Sequence, residues 1–216
     1  MPEAKCRAVA HRPRQAHEAG HPVHVTLRAG HEAAFLREEV VFRRVRQALA
    51  AASRQTFRVV HFSVQRDHVH LLVEAEDGAA LRSGVQGLAI RVARAVNRAL
   101  GRRGRVWSGR YHRRDLEGPR EVPAALVYVL QNGRKHGVVA RAALDPRSSV
   151  AYLFLGFTPG GERRRAALAA REELAPPERL PVCAPETWLA RVGWIVRGGG
   201  LLDPREGPAP QAFSRA

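Results

Sequence analysis

Two runs of β-branched and aromatic residues, Phe57 to Gln65 (FRVVHFSVQ) and His68 to Glu74 (HVHLLVE), are separated only by Arg66 and Asp67. So short a connection returns the chain antiparallel to itself, so 57–74 is a hairpin and the sheet it nucleates is antiparallel at its centre. The flanking periodicities extend it. His21 to Arg28 alternates Val23, Val25 and Leu27 with His24 and Thr26, a strand. Glu32 to Arg54 carries apolar residues at helical spacing, and Leu81 to Leu100 is a long amphipathic helix after the break at Asp77-Gly78. Arg105 to Leu116 has strand character. Gly118-Pro119 opens a helix that runs to about His136, with Gly137 as its cap.

The order β-α-β-β-α-β-α predicts an α+β fold: a ferredoxin-like βαββαβ-type antiparallel sheet with helices on one face and a further helix following it. At 216 residues the chain is long enough for one full core and an appendage. It divides into a flexible basic arm (1–19), a domain (20–140) and a C-terminal extension of no readable motif (141–216). In that extension Glu162 to Leu174 and the stretch from Pro185 to Trp194 are helix candidates. Trp188 and Trp194 are read as core or docking anchors. Two cysteines, Cys6 and Cys183, make neither a disulfide framework nor a Cys-rich zinc site. No uninterrupted apolar stretch is long enough to span a bilayer, and His11 to Arg14 stand where a signal peptide needs apolar residues. The expectation is a soluble, cytoplasmic protein with no membrane partner.

Thirty-six Lys and Arg against twenty Asp and Glu leave a formal charge of +16, which favours a polyanionic partner. Half of that excess lies in residues 91–120, where ten Arg face only Asp115 and Glu117. Arg91, Arg94, Arg98, Arg102, Arg103, Arg105, Arg110, Arg113 and Arg114 are the candidate nucleic-acid contacts, with Trp107, Tyr111 and His112 interleaved. Guanidinium forks suit phosphate, and aromatic faces suit unpaired bases. The same pattern also describes a solvated basic face above core aromatics.

Two further features carry chemistry. His68 and His70 are two apart on a strand, so both imidazoles share a face and can converge on one divalent cation; they also fit as ordinary half-buried strand residues. Asp67 is expected to point away from His68 in a regular strand. Tyr128 and Asn132 stand at i and i+4 of the last helix, a hydroxyl and an amide one turn apart. A Tyr in so apolar a helix also serves as packing. A buried amide must find a partner, and Gln131 competes with Asn132 for that part.

Taken together, the strand His68-Val69-His70-Leu71-Leu72, the segment Arg105-Val106-Trp107-Ser108-Gly109-Arg110-Tyr111 and the helix Tyr128-Val129-Leu130-Gln131-Asn132 resemble the HUH-type single-tyrosine transposases, especially the REP-associated kind, over about residues 20–140. The resemblance implies a catalytic Tyr, Tyr128, on the helix after the sheet. It implies Mg²⁺ or Mn²⁺ held by His68, His70 and Asn132. It also implies cleavage and rejoining of single-stranded or hairpin DNA through a covalent phosphotyrosine, by a monomer or homodimer. Asn132-Gly133 departs from the Asn-Pro common in that family. The rival expectation is a catalytically inactive DNA- or RNA-binding protein on the same fold. A metal-dependent hydrolase would want more carboxylates near the His pair.

Overall fold

A computed structural model describes residues 16–140, 144–152 and 180–198. The arm up to residue 15 and the helix expected over 162–174 lie outside the described residues. The sheet consists of β1 (Val23–Arg28), β2 (Phe57–Val64), β3 (His68–Ala75) and β4 (His112–Asp115), in the order β2-β3-β1-β4 and antiparallel throughout. Three helices accompany it: α1 (Glu39–Ala50), α2 (Gly78–Ala99) and α3 (Glu121–Leu130). A short turn, α4 (Asn132–Lys135), follows α3, and α5 (Trp194–Arg197) closes the described chain.

Strand alternation gives the sheet two unlike faces. Val23, Val25 and Leu27 of β1, Phe57, Val59, Phe62 and Val64 of β2, and Val69, Leu71 and Val73 of β3 form one hydrocarbon layer. α1 and α2 close over it with Phe42, Val45 and Leu49 and with Leu81, Val85, Leu88, Val92 and Val96. The first two helices thus share one face, as the sequence order implies. α3 lies on the other face, where Val122, Ala125, Leu126 and Leu130 meet Val60, Leu72 and Leu116.

Several boundaries differ from the sequence expectation. Residues 31–38 do not extend α1: His31–Ala33 is a 3₁₀ turn and the helix begins at Glu39. α2 starts three residues earlier than expected, at Gly78, because the Asp77 side chain accepts from Ala80 N at 2.7 Å. β4 is only four residues long. Before it, the backbone of 105–108 serves as acceptor for the Arg105 side chain, which donates to Trp107 O (2.6 Å) and Ser108 O (3.1 Å). The last helix is not continuous to His136. It starts at Glu121 and breaks at Gln131 before α4, and Gly137 (φ 67°) then provides the left-handed stop.

The chain beyond residue 140 attaches to the sheet at two places. Residues 145–150 border the free edge of β2, where Val64 N donates to Arg147 O (2.8 Å) and Phe62 N to Ser149 Oγ (3.1 Å). The fully buried Glu74 of β3 accepts from Glu186 N (2.8 Å), Thr187 N (3.0 Å) and Thr187 Oγ1 (2.8 Å), with Arg58 Nε at 3.4 Å. From there Leu189 and the buried Trp194 join the cluster under α3, while Trp188 is 51% exposed with Arg197 over its ring.

Candidate active site

The polar face of the sheet supplies imidazoles where the other face supplies hydrocarbon. β1 contributes His24, Thr26 and Arg28, and β3 contributes His68 and His70. In the antiparallel register Thr26 is opposite His70 and Arg28 opposite His68. His112 and Arg114 of β4 are opposite Thr26 and His24, which extends the same face to the sheet edge.

His68 and His70 share that face, as their spacing predicts, with ring centroids 4.7 Å apart. His70 is buried. Its Nδ1 lies 3.0 Å from Thr26 Oγ1 and 3.3 Å from His24 Nε2, and its Nε2 has no hydrogen-bond partner within the protein. A proton on Nε2 would be a buried donor without an acceptor, whereas a proton on Nδ1 reaches Thr26 and His24. His70 therefore carries Nδ1–H and presents Nε2 as a lone pair. Burial holds its pKa well below the ordinary value, reinforced by the neighbouring His24, His68, His136 and Lys135, so the ring is neutral. His24 behaves alike: burial, with Arg114 adding to it, lowers it to about 4.

Asp67 does not point away from His68. It sits in the turn rather than in the strand, and its Oδ1 accepts from His68 Nδ1 at 2.6 Å while Oδ2 takes Arg28 Nη2 at 3.1 Å. His68 is thus fixed with Nδ1–H engaged and Nε2 as its lone pair, the arrangement that orients a metal-ligating imidazole. Burial lowers the His68 pKa, and the Asp67 carboxylate opposes that in part.

α3 carries Tyr128 onto these rings. Its ring meets His70 edge-on at 4.9 Å and His24 at 5.6 Å between centroids, and Lys135 Nζ lies 4.9 Å from its centroid. Tyr128 is only 7% exposed, yet its partners are two imidazoles and an ammonium rather than the hydrocarbon layer. Asn132 is fully buried, and neither Oδ1 nor Nδ2 has a hydrogen-bond partner within the protein. Gln131 has one, since its Oε1 accepts from Arg134 Nη1 at 2.8 Å. Of the two amides that compete in the sequence, Asn132 is the one with donor and acceptor capacity uncommitted.

Among the described residues no three His, Cys, Asp or Glu side chains are disposed to hold a metal ion. A cation here would need two imidazoles together with the amide oxygen. Neutral His68 and His70 with Nε2 lone pairs, and an orphaned buried amide, fit a divalent ion of mixed nitrogen and oxygen preference.

The nine arginines separate into groups. Arg91, Arg94 and Arg98 are exposed on the outer side of α2, across the sheet from Tyr128. Arg102 bonds Glu32 (3.0 Å), and Arg105 is folded onto its own loop. Arg103 and Arg110 are exposed. Arg113 pairs with Asp115 (3.3 Å) and Arg114 with Glu121 (2.5 Å) on β4, with Arg114 on the polar face. Trp107 donates Nε1 to Ala89 O (2.9 Å), so its ring is anchored in the helix layer. Sequence reasoning missed His24, Thr26, Lys135 and His136, whose ring lies 5.3 Å from that of His68. Alternation along HPVHVTLR already placed His24 and Thr26 on one face, but not which face α3 would cover.

The family model for IS200-like transposases matches residues 19–131. No curated protein matches the chain. A solved structure of a REP-associated tyrosine transposase bound to a REP hairpin aligns with a TM-score of 0.53 at 17% identity, covering 65% of this chain and 82% of that one. A "putative transposase" from Deinococcus radiodurans R1 aligns at 0.35 and 19% identity, over 52% and 85% of the two chains. The first likeness shows a shared fold.

Proposed function

The chain belongs to the IS200-like transposase family, and from that premise we propose that it cleaves and rejoins single-stranded or hairpin DNA, with Tyr128 as nucleophile. The observation that carries this reading is the seating of the Tyr128 ring 4.9 Å from the neutral His70 ring, one turn before the uncommitted Asn132 amide. A free phenol ionises near pH 10, so attack on a phosphodiester needs an electrophile made more reactive. Mg²⁺ or Mn²⁺ held by His68, His70 and Asn132 would polarise the scissile phosphate and offset charge developing on its oxygens.

In this reading Tyr128 Oη bonds to phosphorus as the bond to the 3′-oxygen breaks. The phenol gives up its proton and the 3′-oxygen ends as a hydroxyl. The 5′ side stays on the enzyme as a phosphotyrosine, which conserves the phosphodiester energy, so rejoining is the reverse step and needs no nucleotide triphosphate. Asp67 and Thr26 keep the two imidazoles in the required tautomers. Arg103, Arg110 and Arg114 supply most of the affinity for the DNA backbone, Arg91, Arg94 and Arg98 lying across the sheet, and the REP hairpin bound by the structural neighbour supports a DNA ligand of that type. Among the described residues no helix is long and apolar enough to cross a membrane.

The test is incubation with a hairpin-bearing single strand and Mn²⁺, followed by a denaturing gel. A covalent adduct is expected from the wild type and none from Tyr128→Phe. An adduct that persists in Tyr128→Phe overturns the nucleophile assignment. The burial of Tyr128 favours a second reading, a DNA binder that does not cleave. That reading predicts hairpin binding with no adduct for either protein.

A further inference from the structure

Asn132 poses a positional problem. Its amide makes no hydrogen bond within the protein, so the backbone of the α4 turn and the packing around it set where it points. That turn is set off from α3 by the break at Gln131, whose N–H still donates to Val127 O (3.0 Å). It also rests on a buried ion pair. Asp145 is almost fully buried. Its two oxygens take Arg37 in a fork, Nη2 to Oδ1 at 2.8 Å and Nη1 to Oδ2 at 3.0 Å, and Arg147 N donates to Oδ1 at 2.9 Å. Arg37 Nη1 also donates to Val64 O (2.8 Å) at the end of β2, which ties the pair to the sheet. The carboxylate then reaches Gly133, where an added Cβ would fall far inside van der Waals distance of Asp145 Oδ2 and 3.0 Å from both Asp145 Cγ and Val139 Cγ2. Contact runs unbroken from β2 through Arg37 and Asp145 to the residue next to Asn132.

We infer that Asp145, clamped by Arg37 and seated against Gly133, is a positioning residue that fixes the Asn132 amide for the metal. This rests on the reading of Asn132 as a ligand. It gives a role to a segment outside the residues matched by the family model, and it accounts for glycine at 133: a bulkier residue there would displace the carboxylate. The contact can be disturbed from either side. Asp145→Asn weakens the fork, while Gly133→Ala leaves every charge in place and adds one methyl group.

The experiment measures Mn²⁺ affinity of the full chain by titration calorimetry, hairpin affinity without metal, and the single-turnover rate of adduct formation at saturating hairpin. Each variant should weaken Mn²⁺ binding by about tenfold, in the range seen when an outer partner of a ligand is lost. Each should slow the single-turnover rate and leave metal-free hairpin affinity within about twofold. In an Asn132→Ala background neither should weaken Mn²⁺ further, because the effect passes through Asn132. If Asp145→Asn fails to fold, Gly133→Ala carries the test. Unchanged Mn²⁺ affinity in the folded variants, losses that persist undiminished in Asn132→Ala, or an Asn132→Ala protein with wild-type Mn²⁺ affinity would each overturn the inference. Tyr128→Phe separates the two claims: an adduct surviving there defeats the nucleophile reading, while the Mn²⁺ titrations still judge Asp145.

Discussion

The two faces of the sheet are made from alternate residues of the same three strands, yet they obey different rules. On the α1/α2 face the strand residues are Val, Leu and Phe, with Ala75 at the end of β3, and all are buried against one another. On the α3 face β1 and β3 present His24, Thr26, His68, His70 and Glu74, three of them buried, and hydrocarbon is limited to a smaller cluster around Leu72 and Trp194. Burying imidazole and carboxylate without loss requires partners, and the partners are what make this face specific: Thr26 for His70, Asp67 for His68, the Thr187 turn for Glu74. One face supplies stability; the other holds lone pairs in place and accepts a smaller margin.

Neighbouring residues on β3 give the sharpest way to break this comparison. Leu71→Ala should cost about 3 kcal/mol of stability in urea unfolding, since it opens a hole in the hydrocarbon layer. His70→Ala should cost less than Leu71→Ala, because it removes a buried ring whose Nε2 is unpaired, and yet abolish adduct formation. Equal losses of stability in the two variants would mean that the faces do not differ as described.

A further effect follows from protons. His24 and His61 are held at about 4, and His70 is also depressed, all chiefly by burial and all off the hydrocarbon layer. Above the ordinary value of 6.5 the folded and unfolded forms are equally neutral at these sites. As pH falls from 6.5 towards 4, the unfolded chain binds protons that the folded one refuses, so stability should fall through that window by roughly a few kcal/mol. Thermal melts across it check this, and His61→Phe should flatten the slope. A stability independent of pH there would contradict neutral burial of these rings.

The antiparallel hairpin, the two-sided alternation and the shared face of His68 and His70 were legible in the sequence because period-two patterning states them directly. The company of those rings was not. His24 and His70 are 46 residues apart and meet through strand register, and Asp67 reaches His68 because a turn residue escapes the alternation that governs a strand. The continuous helix through Tyr128 and Asn132 was a misreading. The apolar run ends at Leu130, and the polar stretch after it forms its own turn, held by Asp145 from outside the pattern. The arginine cluster read as one surface, but α2 turns Arg91, Arg94 and Arg98 to the opposite side from Arg114.

Metal and DNA binding should respond to milder changes on the polar face. Thr26→Val keeps shape and removes the oxygen beside His70 Nδ1, so Mn²⁺ affinity should drop by about tenfold with little change in melting temperature. For the hairpin, contact with about six phosphates gives a log–log salt slope of roughly −4, and Arg114→Ala should reduce it by about 0.7. Arg91→Ala, across the sheet, should leave the slope nearer its original value. A larger effect from Arg91 than from Arg114 would move the DNA path to the helical face.

In the proposed reaction one particular phenol among three tyrosines takes up the DNA. Proteolysis of the gel-purified adduct, nuclease trimming of the attached strand and mass spectrometry of the peptides would read it directly. A nucleotide remnant is expected on the peptide containing Tyr128 and none on those containing Tyr111 or Tyr152. A remnant on either of those, with Tyr128 unmodified, would contradict it.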